Sequence, residues 1–471
     1  MKRKLCFFLF IVLLLSLSVF AFAAPQEVDY QKCLVRWDGK LSDKDFTGEE
    51  FAALTKTTVY QSDKSPTGFF VTFRYYGPDQ TRVRVAGEWM FSTRAISTVF
   101  SSALIHPKDW YNGCILHIGD PWPSRPFDDM TLNKDTGYWF YTIPLPSGTY
   151  CYQFYVGEGD PTGAPVSGHE QTSQFTSDPQ NLPAERVLGD EVYSQVLVPY
   201  DPVKQSLSPD YSQYQDICEQ KGTLLFELVP SEVAGTDTPV GIYLPHGYNP
   251  RKEGGYPYLI LAHGGGSHGS IWTAQGMMPN ITDNLIAAGL VKPMIVVTPT
   301  IRDSKFNWLS SNTNPDGSLI TEGKQVSQAQ PYILNELIPW LEEHYNVSKD
   351  PKDRAISGLS AGGMFTSNMY IHCPEEFGYF YMMSGANANI AGYDLSRPEL
   401  KTPVVAFGTG IYDSLLFRMV YPVQEAFTKA GIEFRNTYQL GAHRMHVWRE
   451  LYIDLLSNVL WKPKPEVHLN R

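Results

Sequence analysis

Arg354-Ala355-Ile356-Ser357-Gly358-Leu359-Ser360-Ala361-Gly362-Gly363 joins an apolar run to a helix-compatible stretch, Met364 to Tyr370. Strand before and helix after is the context in which Gly-x-Ser-x-Gly forms a nucleophile elbow. Small residues on either side of Ser360 let the chain turn sharply and hold the hydroxyl at the strand tip. The helix start behind it offers backbone N–H groups to an anion. The other reading, a glycine-rich structural turn, accounts for the glycines but not for the flanking elements.

Working outward, the same texture repeats. Tyr258 to Ala262, Pro293 to Val297, Tyr379 to Met383 and Pro403 to Phe407 are short apolar runs. Between them, Gln330 to Tyr345 carries Ile333, Leu334, Leu337, Ile338 and Leu341 at helical spacing, and Pro422 to Ala430 reads as another helix. Buried strands alternating with helices imply a mostly parallel sheet covered on both faces.

An elbow needs a site for negative charge. His263-Gly264-Gly265-Gly266 follows the run Tyr258 to Ala262, where such a sheet carries its oxyanion loop. The N–H groups of Ala361 and Gly265 are the expected donors, with Gly264 as a substitute. The base and its orienting acid should follow in the order Ser, Asp, His. His443 and His446 compete for the first role. Asp413, just past the run Pro403 to Phe407, and Asp394 compete for the second. Trp272, beyond the glycine loop, is assigned to the pocket wall, against ordinary packing as the alternative.

Upstream the pattern is different. Phe69 to Tyr76, Arg82 to Ala86, Gly137 to Ile143 and Thr149 to Val156 alternate polar with aromatic and β-branched residues, and Pro144 to Gly148 is a turn. Period-two patterning of this kind indicates a small antiparallel β-sandwich. Ser177 to about Gly222 is polar, punctuated by proline, and reads as a connector.

The chain has 471 residues, 43% of them hydrophobic and 18% charged, which suits two globular domains. Lys2, Arg3 and Lys4 precede an apolar run from Leu5 to Ala24, and Ala21-Phe22-Ala23 is a cleavage signature. This predicts a secretory signal peptide over 1–23, hence an extracellular protein with no membrane contact after cleavage. An uncleaved anchor is the alternative, since the run is long enough to span. Cleavage would take the net charge from −11 to −14, which argues against nucleic acid as a partner. Cys33, Cys114, Cys151, Cys218 and Cys373 are widely spaced. They show no zinc-like pattern, leave room for one or two disulfides, and as an odd set leave at least one free thiol. No cofactor or metal is expected.

Together these blocks resemble family one of the carbohydrate esterases, the feruloyl and acetylxylan esterases also called esterase-D-like. The likeness spans about Gly222 to Trp461. It rests on Ile242 to Tyr248, the His263 glycine block, Asp283 to Ile286, Glu336 to Pro339 with Tyr345, the elbow, and Gly441-x-His443 with Trp448. The resemblance implies an α/β-hydrolase domain over 222–465. It selects His443, five residues before Trp448, over His446, and Asp413, before Ser414-Leu415, over Asp394. It further implies a serine esterase acting on an ester-substituted polysaccharide or oligosaccharide, with feruloyl or acetyl groups on xylan foremost. The chain departs from the family at Ala361 (commonly Met), at Arg444 (usually Asp), and in a longer acid loop with Gly410, Ile411 and Tyr412.

Residues 67–181 resemble early-set, immunoglobulin-like domains related to family 48 carbohydrate-binding modules. Trp89, Trp122 and Trp139 are candidates for stacking on sugar rings, but aromatics in a small sandwich more often fill its core. Residues 24–66 form an amino-terminal extension and 182–221 a linker and interface segment. Three rival functions follow: a siderophore esterase, an acyltransferase similar to mycolyltransferases, and a catalytically idle polysaccharide-binding protein.

Overall fold

The apolar runs of the carboxy-terminal half form a nine-stranded sheet in the computed structural model, which describes residues 25–45, 48–89, 91–92, 104–116, 127–159, 174–182, 193–301, 329–387, 389–390 and 393–463. The proposed signal segment and Trp122 lie outside the described residues. Among the described residues no helix is long and apolar enough to cross a membrane.

Across the sheet the order is Gln26–Val28, Thr223–Val229, Thr238–Leu244, Ile295–Pro299, Tyr258–Ala262, Arg354–Leu359, Tyr379–Met383, Val404–Gly410 and Arg435–Gln439. The first three strands are antiparallel to their neighbours, and the rest run parallel. Alternation along each strand divides the apolar residues between two cores. Tyr258, Ile260 and Ala262 face one with Ile333, Leu337 and Leu341. Leu259 and Leu261 face the other with Trp272, Leu451 and Tyr452. This is an α/β-hydrolase-like arrangement, with the elbow strand Arg354–Leu359 inside the parallel part.

The amino-terminal half is mainly β, with a short α-helix at Gly48–Ala53. One sheet has the order Thr131–Asn133, Tyr138–Pro144, Phe69–Tyr76, Thr58–Gln61, and a second contains Leu34–Arg36, Ser194–Val198, Gly148–Val156 and Val83–Gly87. Val71 and Phe73 of the first meet Val85, Tyr152 and Val196 of the second in one core. Trp89 and Trp139 lie in that core, and the Trp139 indole N–H donates to Gly77 O at 2.8 Å. Both are packing residues.

Two segments depart from the sequence reading. Ser194–Val198 was expected in a connector, yet it is a fully buried strand between Leu34–Arg36 and Gly148–Val156. The extension is also structural. Gln26–Val28 adds to the hydrolase sheet, and Leu34–Arg36 joins the amino-terminal sheet. Between them Tyr30 donates to the buried Asp283 carboxylate, which also accepts from Tyr243 Oη at 2.6 Å and Gly222 N at 2.8 Å. Burial raises the Asp283 pKa, and these three donors oppose the rise. Leu34 and Leu197 extend the second hydrolase core, so apolar packing is continuous across the two halves. Among the described residues, Cys114, Cys218 and Cys373 are buried free thiols.

Candidate active site

Ser360 stands between the elbow strand and the helix Ala361–His372, with φ 55° and ψ −115°. A non-glycine residue in this region carries strain on the order of 1–3 kcal/mol, held in place by its surroundings. Here those are backbone contacts. Ser360 N donates to Met383 O at 2.7 Å, and Met364 N closes the first helical turn onto Ser360 O at 3.1 Å. Glycine is required where other backbone crosses the turn. A Cβ at Gly362 would stand 2.6 Å from His263 O and 2.8 Å from Ala262 O, and one at Gly385 would strike the Ser360 carbonyl.

The hydroxyl meets an imidazole. His443 Nε2 lies 2.9 Å from Ser360 Oγ, and His443 Nδ1 lies 2.8 Å from Asp413 Oδ2. An ionised carboxylate only accepts, so Nδ1 carries the proton and Nε2 is left to accept from the serine hydroxyl. The Asp413 side chain is fully buried while His443 is about a third exposed, so the chain of bonds runs from the protein interior to solvent. Asp413 Oδ1 accepts from Leu415 N at 2.8 Å, which fixes the carboxylate's rotation. Trp448 packs edge-on against His443, ring centres 4.9 Å apart. The competing residues are elsewhere. Asp394 is bonded to Ser396 in an exposed turn, and His446 packs against Tyr211.

The glycine loop lies against the elbow. A Cβ at Gly264 would be 3.6 Å from Ser360 Cβ, and one at Gly265 would be 3.7 Å from Ala361 Cβ. Ala361 is the first residue of its helix, so its N–H has no partner within the helix. His263 is wholly buried and its tautomer is determined by its neighbours. Ile301 N donates to Nε2 at 3.2 Å, which leaves Nδ1–H to donate to Gly264 O at 2.8 Å. In a trans peptide the Gly265 N–H points opposite to the Gly264 carbonyl. Pinning that carbonyl therefore sets the direction of the Gly265 N–H. Sequence reading took His263 only as the start of a glycine block, because a clamp closed by Ile301 is a long-range contact.

Trp272 is corrected. Its helix, Ser270–Ala274, turns the indole under the sheet, where it is completely buried beside Tyr452 and donates to Ala262 O at 2.9 Å. It supports the strand before the glycine loop from within the core and walls no open pocket. Among the described residues no group of His, Cys, Asp and Glu has the arrangement of a metal site.

The strand–elbow–helix geometry coincides with the comparison to known proteins. Residues 231–464 match the family Esterase ("Putative esterase"). This half of the chain is an Esterase-family domain. The esterase domain is similar to the feruloyl esterases among carbohydrate esterases. Over 240 residues, 49% of this chain and 30% of the relative, it is 35% identical to the "Endo-1,4-beta-xylanase/feruloyl esterase" of Xylanibacter ruminicola. Over 188 residues, 38% of this chain and 15% of the relative, it is 28% identical to "Endo-1,4-beta-xylanase Y" of Acetivibrio thermocellus. The chain thus spans less than a third of the length of these curated relatives. Among solved structures, the enterobactin esterase FES of Shigella flexneri shares 15% identity and a TM-score of 0.50, over 87% of this chain and 98% of that one. That likeness is one of fold, and it includes the amino-terminal half as well as the esterase domain.

Proposed function

We propose that the protein is a secreted serine carboxylic-ester hydrolase that removes feruloyl or acetyl groups from xylan. The observation that carries the chemistry is the unbroken hydrogen-bonded series Ser360, His443, Asp413 at a strained elbow. His443 takes the hydroxyl proton as Ser360 Oγ attacks the ester carbonyl. Asp413, buried and anionic, stabilises the imidazolium. The N–H groups of Ala361 and Gly265 hold the oxyanion. Collapse breaks the ester C–O bond, and His443 returns the proton to the leaving alcohol. Water, deprotonated by the same imidazole, then releases the acid from Ser360 and restores the hydroxyl.

Xylan esters as substrate rest on the likeness to a relative named as a xylanase and feruloyl esterase. Secretion rests on the signal-like residues 1–23. We assign the amino-terminal all-β domain, over 67–181, an immunoglobulin-like sandwich topology. A second reading, siderophore-ester hydrolysis, is favoured by one observation: the enterobactin esterase shares the fold over both halves of the chain.

Hydrolysis of methyl ferulate, acetylated xylan and enterobactin, measured side by side with Ser360→Ala as control, tests both. Turnover of the first or second that vanishes in the variant supports the proposal. Faster turnover of enterobactin moves the assignment to the siderophore. Hydrolysis that survives Ser360→Ala removes the nucleophile from this site.

A further inference from the structure

The loop that carries His443 is held from the amino-terminal half. Leu440 O accepts from Tyr211 Oη at 3.0 Å, three residues before the imidazole. On its other side Gly441 O accepts from Tyr412 N at 3.0 Å, in the loop of Asp413. Tyr211 belongs to neither loop. It comes from the stretch that follows the amino-terminal sheets, and its position is fixed by them. Tyr211 N donates to Ser147 Oγ at 3.2 Å, Gln215 Nε2 donates to Tyr211 O at 2.6 Å, and Thr149 Oγ1 donates to Gln215 Oε1 at 2.6 Å. Tyr211 and Gln215 are both buried. The Tyr211 ring also packs edge-on against His446, at 5.6 Å.

A second tie acts on the helix that follows the loop, Met445–Asp454. Arg449 is 1% exposed, and its guanidinium spans two parts of the molecule: Nη1 donates to Thr149 O at 2.8 Å and Nε to Gln275 O at 2.7 Å. Gln275 ends the short helix after the glycine loop, so one side chain links the histidine helix, the oxyanion side of the site and the strand Gly148–Val156. A buried guanidinium bonded only to main-chain carbonyls in these contacts is a costly way to gain general stability, but it fixes geometry closely, because each carbonyl sets one direction of a rigid fork.

We propose that the amino-terminal domain braces the His443 loop, with Tyr211 and Arg449 as positioning residues that set the His443–Ser360 distance. The proposal rests on His443 being the base. Its physical content is that a hydroxyl bonded to a loop carbonyl limits the loop's travel. Misplacement of a catalytic group by about 1 Å is enough to cost on the order of a hundredfold in rate.

The test uses the full-length protein with 4-nitrophenyl acetate. Tyr211→Phe keeps the ring on His446 and removes only the hydroxyl. Arg449→Met keeps the stem and removes both donors. We expect Tyr211→Phe to lower kcat by about tenfold, with KM within about twofold of the unmodified protein and an unchanged melting temperature. Arg449→Met should lower kcat further, and Arg449→Lys should recover part of that loss. A purely structural role would instead lower the melting temperature and leave kcat per folded molecule intact. If Tyr211→Phe retains full kcat while His443→Ala is inactive, the brace is overturned and the base assignment stands. If His443→Ala retains activity, the reading of the site fails first. Arg449→Met that does not fold leaves the decision to Tyr211→Phe.

Discussion

Ser360 and His443 arrive at the same hydrogen bond by opposite routes. The serine is placed by what adjoins it in sequence: a buried strand, a turn with φ 55°, and a helix start. The histidine sits in an irregular loop whose anchors come from residues 211 and 412 and from Arg449 reaching back to residue 149. The difference separates two kinds of determinant. Elbow geometry comes mainly from about ten consecutive residues, closed over by the Met383 carbonyl and the His263 loop backbone, whereas the imidazole's place depends almost wholly on segments far along the chain. It follows that substitutions near Ser360 should disturb stability and chemistry together. Substitutions of the distant anchors should disturb chemistry first.

The largest effect is expected where both routes end. Ser360→Ala and His443→Ala should each lower kcat by about 10⁴-fold or more, and the double variant should be no worse than either alone, since they act as one unit. A double variant much slower than both would mean the two residues work independently. Asp413→Asn should cost about 10³–10⁴-fold, because an amide no longer selects the tautomer that leaves Nε2 free to accept. A loss below tenfold would give the orienting role to another group. Next comes Gly362→Ala, which places a methyl 2.6 Å from His263 O and 2.8 Å from Ala262 O. Both neighbours are backbone, so the turn itself must shift. We expect a loss of about 2 kcal/mol in unfolding free energy together with a fall in kcat. Loss of rate without loss of stability at this position would break the contrast drawn above.

What was legible in the sequence follows the same division. The elbow and the covered parallel sheet are written in local pattern, whereas Asp413 and His443 were separated from Asp394 and His446 only by the family resemblance. Ile333, Leu337, Ile338 and Leu341 do line one buried helical face, with Leu334 partly buried beside them. Gln26–Val28 is three residues long, too short to show a period, and it exists as a strand because Thr223–Val229 offers it an edge. Ser194–Val198 hid in a polar surround and becomes central through partners over 40 residues upstream. Trp272 looked like a pocket wall because it follows a catalytic-type loop, but a five-residue helix carries it beneath Ala262. Tyr211 and Arg449 had no sequence signal at all. A hydroxyl and a guanidinium acquire their roles only when chain segments 229 and 300 residues away present carbonyls to them.

The smallest expected effect probes the histidine helix from within. Glu450 adjoins Arg449, and its Oε1 is shut off from solvent with no hydrogen-bond partner among the described residues. Burial, reinforced by the nearby Asp210 carboxylate and opposed by Arg449, pushes its pKa up to about 8, against an ordinary value of 4.5. The folded protein therefore holds a proton that the unfolded chain has released across that interval. The stabilisation is complete below pH 4.5 and is lost as pH rises towards 8. Glu450→Gln is neutral at every pH and has no such loss. The variant's melting temperature should therefore gain on that of the unmodified protein as pH rises, reaching a difference on the order of 2 °C at about pH 9. Thermal scans of both proteins from about pH 5 to pH 9 read the difference directly. Parallel curves would mean that Glu450 is charged throughout, with Arg449 divided between it and Thr149. The tie from the histidine helix to the amino-terminal sheet would then be weaker than the geometry implies.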